Sequence, residues 1–197
     1  MASELEFFFD YGSPFSYLAD TQLKGLAERS GARVVYRPLL LGGVFKETGN
    51  ISPISIEAKR KYIMTDLERW AKRYGVPAPH NPHFPINTMR LMRGAIAAER
   101  AGVFAAYHRA IFDAFWREGL NLGEAAIVRG VMERAGLDAE RIAAASEEPA
   151  VKDALRAATE AAVARGVFGA PTFFVGDEMF WGNDRLMFVE QALSARP

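Results

Sequence analysis

Residues 10–16 read Asp10-Tyr11-Gly12-Ser13-Pro14-Phe15-Ser16. Ahead of them, residues 5–9 carry Leu5, Phe7, Phe8 and Phe9 in a short apolar run that reads as a buried strand. Behind them, Pro14 suits a first helical position, and Ser13 stands where a side-chain oxygen caps the opening N–H groups. The stretch therefore predicts a strand-to-helix turn that delivers a hydroxyl to a helix N-terminus, where free backbone donors and the helix dipole favour an anion. Ser13 and Ser16 keep the two-residue gap of a redox Cys-x-x-Cys motif, yet the chain has no cysteine. If the scaffold is of that redox type, it has given up redox chemistry.

Working outward, Phe15, Leu18, Ala19, Leu23, Leu26 and Ala27 recur at helical spacing, and Gly31 ends the pattern. Residues 32–38, with Val34, Val35 and Tyr36, read as a second strand, and a right-handed crossover makes it the parallel neighbour of the first. From about residue 56 the period is helical. Ile63, Leu67, Trp70, Ala71 and Tyr74 form one apolar stripe, and Phe104, His108, Ile111, Phe112 and Phe115 a second. Ile127, Val128, Val131, Met132 and Ala135 form a third. A loop with four prolines, residues 76–85, separates the first two stripes, and Asp138 and Pro149 mark later helix starts. No strand is expected between about residues 44 and 165. Residues 171–175 and Glu178–Trp181 flank the two-residue turn Gly176-Asp177, which predicts a β-hairpin. Leu186, Val189 and Leu193 suggest a closing helix. The fold class is α/β, a mixed core interrupted by an inserted all-helical domain.

The 197 residues are long for one average domain and short for two, and a chain with 50% hydrophobic residues can bury a sizeable core. Twenty-four basic and 24 acidic residues cancel, so no global field recruits nucleic acid or an anionic membrane. Without cysteine there are no disulfides, thiolate metal sites or protein thiol nucleophile. The opening Met1-Ala2-Ser3-Glu4 lacks the basic flank and apolar core of a signal peptide. No apolar run approaches the roughly 20 residues that span a bilayer. A cytoplasmic protein is the expectation.

Few residues offer chemistry. Ser13 reads either as a helix cap alone or as a donor to a bound anion; as a nucleophile it lacks an adjacent base. His80, His83 and His108 are remote from it in sequence, and no Gly-x-Ser-x-Gly elbow is present. A thiolate would suit the hydroxyl, and it would have to come from a bound thiol. In Gly169-Ala170-Pro171-Thr172, a proline at a strand entry is either a plain strand start or a cis proline that exposes the preceding backbone to a ligand. Trp181-Gly182-Asn183-Asp184 closes the hairpin, and Asn183 or Asp184 is placed to cap the last helix or hold a carboxylate there. Lys59-Arg60-Lys61 reads as a solvated helix face before an anion site. His80-x-x-His83 has metal-like spacing without a Cys or acidic partner in its loop, and no metal is expected.

Asp10-Tyr11-Gly12-Ser13-Pro14-Phe15-Ser16-Tyr17-Leu18-Ala19 resembles the N-terminal motif of 2-hydroxychromene-2-carboxylate isomerases, relatives of kappa-class glutathione transferases and of DsbA-type thioredoxin folds. The resemblance extends through Gly49-Asn50, Lys59, Asp66-Leu67-Glu68-Arg69-Trp70-Ala71 and Phe84-Pro85-Ile86-Asn87-Thr88. It finishes with Gly166-Val167-Phe168-Gly169-Ala170-Pro171-Thr172 and the segment from Gly176 through Trp181-Gly182-Asn183-Asp184 to Leu186. It implies a discontinuous thioredoxin-like domain, residues 1–43 and 157–197, split by a helical domain over 44–156. It also implies glutathione as the missing thiol, with Ser13 as catalytic serine against the sulfur. Ala170, before Pro171, would pair with the cysteinyl unit; Trp181, Gly182, Asn183 and Asp184 would hold the γ-glutamyl end. Asn50 and Lys59 would reach in near the glycyl carboxylate or the substrate, with Phe84, Phe45 and Lys46 on the substrate side. The substrate carboxylate would need a cation, for which Lys59, Lys46 and Arg60 are the candidates in that order.

The implied reaction is glutathione-dependent cis–trans isomerisation between 2-hydroxychromene-2-carboxylate and trans-o-hydroxybenzylidenepyruvate, in the breakdown of naphthalene-type aromatics. A homodimer acting on a small aromatic carboxylate is expected, without nucleic-acid or membrane partners. The alternatives are a kappa-like transferase conjugating electrophiles and a non-catalytic thioredoxin-like binding module.

Overall fold

The computed structural model describes residues 3–195. Met1 and Ala2, part of the opening read for a signal sequence, and Arg196 and Pro197, at the end of the C-terminal segment, lie outside it. The chain begins with β1 (Glu4–Phe9), α1 (Pro14–Ser30) and β2 (Arg33–Pro38). β1 and β2 pair in parallel with Phe7 opposite Tyr36, as a right-handed crossover requires. The C-terminal hairpin, β3 (Thr172–Val175) and β4 (Glu178–Trp181), adds antiparallel strands on the other side of β1, giving the order β2-β1-β3-β4.

The near-continuous apolar run of β1 follows from burial on both faces. Leu5, Phe7 and Phe9 point into the main core, where Phe7 stacks on Phe173 at 5.3 Å between ring centroids. Phe8 points the other way, into a smaller cluster with Leu39, Val44, Ala162, Val167 and Phe174. α1 starts at Pro14, is capped by Ser13, and ends at Gly31, whose φ of 65° is the left-handed conformation that lets the chain turn back into β2.

α2 (Leu41–Thr48) follows β2, ahead of the point near residue 56 where helical periodicity begins. A 3₁₀ turn (Pro53–Ser55) leads into α3 (Glu57–Tyr74), followed by α4 (Met89–Arg100) and α5 (Phe104–Phe112), which continues as a π-helical turn, Asp113–Arg117. α6 (Ala125–Arg134), α7 (Ala139–Ser146) and α8 (Pro149–Ala164) complete the helical block and return the chain to the sheet. Asp138 caps α7 and Pro149 opens α8, as expected. Among the described residues no strand lies between Pro38 and Thr172.

α4 shows no stripe of large apolar side chains because most of the residues it buries between Gly94 and Ala98 are small. Leu91, Met92, Gly94, Ala95, Ile96, Ala97 and Ala98 are all buried. α9 (Leu186–Ser194) closes the chain, reached through a 3₁₀ turn, Asn183–Arg185. Neither Asn183 nor Asp184 caps it. The 3₁₀ turn itself absorbs the end, with the Arg185 N–H donating to the Gly182 carbonyl at 3.2 Å. Among the described residues no helix is long and apolar enough to cross a membrane.

Candidate active site

The turn between β1 and α1 is held from three sides. Asp10 is buried, and its carboxylate accepts the N–H of Gly12 through one oxygen and that of Leu41 through the other, each at 2.8 Å. Burial pushes this carboxyl above its ordinary range, against the pull of those donors and of the Thr88 side chain. The Tyr11 hydroxyl lies 3.1 Å from His108 Nδ1, and His108 Nε2 lies 2.9 Å from Asp20 Oδ1. The Tyr11 carbonyl accepts the indole N–H of Trp116 at 2.8 Å. His108 is therefore a hydrogen-bonded core histidine, as its place in the second stripe suggests.

Ser13 sits at the end of this fixed turn, buried. Its Oγ accepts the N–H of Ser16 at 3.1 Å and donates to the carbonyl of Ala170 at 3.1 Å. The two readings of Ser13 are thus compatible, since one oxygen caps α1 while its proton faces the strand-entry segment. The Ala170-Pro171 bond is cis, as is Phe84-Pro85, the latter unanticipated. Gly169 is there because of Trp181: a Cβ at 169 would lie 2.6 Å from the indole nitrogen. Ser16 supports the first turn through its N–H, and its buried hydroxyl has no hydrogen-bond partner among the described residues.

These groups open onto a cavity of about 1000 Å³. Ser13, Ala170 and Trp181 line one wall; Lys59, Arg60, Ile63 and Met64 of α3 line another. Phe45, Phe84 and Trp116 supply aromatic surface, with Phe84 and Trp116 5.2 Å apart between centroids. Lys59, Arg60 and Lys61 are the charged residues of the lining, and no aspartate or glutamate belongs to it among the described residues. In a chain whose net charge is zero, this is a locally cationic, largely apolar chamber. Among the described residues no group of three or more His, Asp or Glu is arranged to hold a metal ion.

Of the residues singled out from sequence, Ser13, Asn50, Lys59, Ala170, Trp181, Phe84 and Phe45 all line this cavity. Asn50 is tied to the same wall as Ser13, its Nδ2 donating to the Phe168 carbonyl at 3.1 Å. Pro171 is buried behind Ala170. Lys46, exposed in the last turn of α2, lies outside the lining. Gly182, Asn183 and Asp184 also lie outside it, beyond Trp181. Asn183 is buried and its carbonyl accepts the Tyr74 hydroxyl at 2.7 Å, while Asp184 pairs with Arg185. Gly182 has φ of 103°, and a Cβ there would lie 2.4 Å from the Asp184 carboxylate.

Sequence reasoning missed Trp116, Ile63 and Met64 as parts of the site, and ranked Arg60 behind Lys59 and Lys46 as a partner for the substrate carboxylate; Arg60 lines the cavity and Lys46 does not. Trp116 immediately follows the second stripe, and its indole N–H needed a partner; that was the available signal. His80 lines the cavity, on a loop pinned by Asn81, whose Nδ2 donates to the carbonyls of Phe115 at 2.7 Å and Leu120 at 3.0 Å.

The architecture and the sequence both have known counterparts. The DSBA-like thioredoxin domain model matches residues 4–194. A 2-hydroxychromene-2-carboxylate isomerase of Sphingobium xenophagum is 41% identical over 98% of this chain and 99% of its own. Glutathione S-transferase kappa 1 of Rattus norvegicus is 26% identical over 98% of this chain and 91% of its own. The solved structure of a 2-hydroxychromene-2-carboxylate isomerase superposes with a TM-score of 0.87 at 35% identity, covering 96% of this chain and 94% of that one. The chain accordingly belongs to the DsbA-like thioredoxin-domain family and, within it, to the 2-hydroxychromene-2-carboxylate isomerases.

Proposed function

We propose that this cavity interconverts 2-hydroxychromene-2-carboxylate and trans-o-hydroxybenzylidenepyruvate with glutathione as cofactor. The observation that carries the reading is a buried Ser13 hydroxyl at a helix N-terminus, facing a cationic, acid-free cavity in a chain without a thiol of its own. The residues fit glutathione. Its glycyl carboxylate needs a cation, which Lys59 offers, its sulfur needs a donor, which Ser13 offers, and its cysteinyl backbone needs a strand-like partner, which the Ala170 segment offers. Glutathione supplies a nucleophilic sulfur whose reversible addition makes the substrate's conjugated double bond single, so that rotation becomes free.

What the chain contributes is electrostatic. A free thiol has a pKa of about 8.5 and is mostly protonated near neutrality. The Ser13 proton, now given to the Ala170 carbonyl, turns onto the sulfur, and the α1 N-terminus adds its positive end. Asn50 and Lys59 take the glycyl carboxylate. The turn beyond Trp181, with Gly182, Asn183 and Asp184, takes the γ-glutamyl end. Phe45, Phe84 and Trp116 pack the aromatic part of the substrate and exclude water. The protein works in the cytoplasm, where glutathione is kept reduced. It pairs as a homodimer, for which the exposed Met179, Trp181, Met187 and Phe188 offer apolar surface.

Glutathione-dependent interconversion of the two substrate forms, followed by absorbance, is the test. Mass spectrometry of the product separates this reading from the kappa-like alternative: an isomerase leaves the mass unchanged, whereas a transferase adds one glutathione. No thiol dependence at all would leave only a binding module.

A further inference from the structure

The buried stripe of α3 runs out before the helix does. Ile63, Leu67, Trp70, Ala71 and Tyr74 pack into or against the main core. Four and three residues ahead of Ile63, on the same face, stand Lys59 and Arg60. Charged residues take these positions because the inner face of α3 meets the cavity there rather than the core, and both line it. Lys61, one position further round, is paired with Glu57 at 2.8 Å across one helical turn. Lys59 and Arg60 have no acidic partner within 4.0 Å among the described residues. The cavity thus holds two uncommitted cations and no anion to answer them.

We infer that Arg60 selects the substrate by its carboxylate and the oxygen next to it, a role that rests on the isomerase reading above. In that reading a filled site contains three carboxylates. The γ-glutamyl one lies at the turn beyond Trp181 and the glycyl one at Asn50 and Lys59. The third belongs to the substrate, and Arg60 is the cation left for it. The chemistry suits the residue. Both substrate forms place a second oxygen, a hydroxyl or a ketone, on the carbon bearing the carboxylate. A guanidinium presents a planar fork of donors to such a vicinal pair, where an ammonium offers only a point charge. Arg60 is exposed and makes no side-chain hydrogen bond among the described residues, so its substitution leaves the fold intact.

The test uses Arg60→Gln and Arg60→Lys in the full chain, with trans-o-hydroxybenzylidenepyruvate and its methyl ester as probes. For the acid, Arg60→Gln raises KM about 10- to 100-fold with kcat little changed, the range expected for losing hydrogen bonds to a charged group. Arg60→Lys falls between. For the ester, wild type and Arg60→Gln are alike, and glutathione affinity by calorimetry is unchanged. Direct binding of acid and ester, read by tryptophan quenching, repeats the comparison without turnover. Weaker acid binding in Arg60→Gln together with an inactive wild type would retain the carboxylate role and discard the isomerase reading. Equal acid KM and affinity in both proteins, or an equal loss for acid and ester, would overturn the inference.

Discussion

The wall of the cavity that carries Ser13 and the wall that carries Lys59 and Arg60 are held in opposite ways. Behind Ser13, Asp10 accepts two backbone N–H groups, Tyr11 is fixed by His108 and Trp116, and the Ser13 oxygen has both a donor and an acceptor. On α3 the cavity-facing side chains ahead of Ile63 are exposed, and no acidic side chain among the described residues pairs with Lys59 or Arg60. A group that must stabilise charge developing on sulfur has to be oriented before the ligand arrives. Cations that recognise carboxylates act over several ångströms and tolerate side-chain motion. The rigid wall should therefore fail abruptly when altered, and the exposed wall by degrees.

The largest effect expected is at Ser13. Ser13→Ala removes the donor to the sulfur and lowers kcat by about 10²–10³-fold, the usual cost of one preorganised donor. It also removes the α1 cap, costing about 0.5–2 kcal/mol of stability. Near-normal turnover at saturating glutathione would show that the wall is scaffolding only. Gly169→Ala tests the same wall through packing. Its Cβ, 2.6 Å from the Trp181 indole nitrogen, forces the ring aside. The expected outcome is about 1–3 kcal/mol of destabilisation from overpacking, together with weakened glutathione binding. An unchanged melting temperature and tryptophan spectrum would mean that Trp181 is free to move, and that this wall is softer than its hydrogen bonds suggest.

The same contrast explains what the sequence made legible. β1, α1, the Ser13 cap and the hairpin follow from periods of 2 and 3.6 and from local turn chemistry, all contained in short stretches. α2 does not, because Leu41-Gly42-Gly43 has no local helix signal. Its start is satisfied by Asp10, 31 residues away, which accepts the Leu41 N–H. Thr159, 119 residues from Leu40, accepts the N–H of that residue. Val44 then docks into the small cluster around Phe8 and Phe174. The Asn183-Asp184 capping expectation failed for a related reason: the buried Asn183 engages Tyr74 of the helical block, which no local pattern reveals. In Lys59-Arg60-Lys61, composition fixes the charge but not what the helix faces. Two of the three point along the face that turns into the core, and only the tertiary fold shows that the core has ended there.

On the exposed wall, Lys59→Gln should weaken glutathione about 5- to 10-fold, in the range of one partly screened charge-assisted contact. Stability should stay within about 0.5 kcal/mol of wild type. The loss should shrink as salt is raised, since an exposed cation is screened within about 10 Å at 0.1 M. A salt-independent loss, or one accompanied by a lower melting temperature, would mean that Lys59 is structural and that the two walls differ less than proposed.

The smallest effect concerns the backing of the rigid wall. Glu6 on β1 is bonded to Arg37 of β2 and to Arg165 just beyond α8, each at 2.8 Å, and the Arg165 guanidinium lies 3.9 Å from the Phe174 ring centre. Partial burial pushes the Glu6 carboxyl up, but the hydrogen bonds and charge of Arg165 and Arg37 outweigh it and hold it below the ordinary 4.5. A depressed carboxyl stabilises the fold above its unfolded value, and that contribution is lost as pH falls through the lower folded value. Because Arg37 and Arg165 are both substantially exposed, solvent screens the pairs and the latch contributes under about 1 kcal/mol. Urea midpoints of wild type and Glu6→Gln should therefore differ slightly at neutral pH and converge once Glu6 is protonated. If the gap persisted in acid, the latch would act through shape rather than charge, and the strand that leads into Ser13 would owe its rigidity to packing alone.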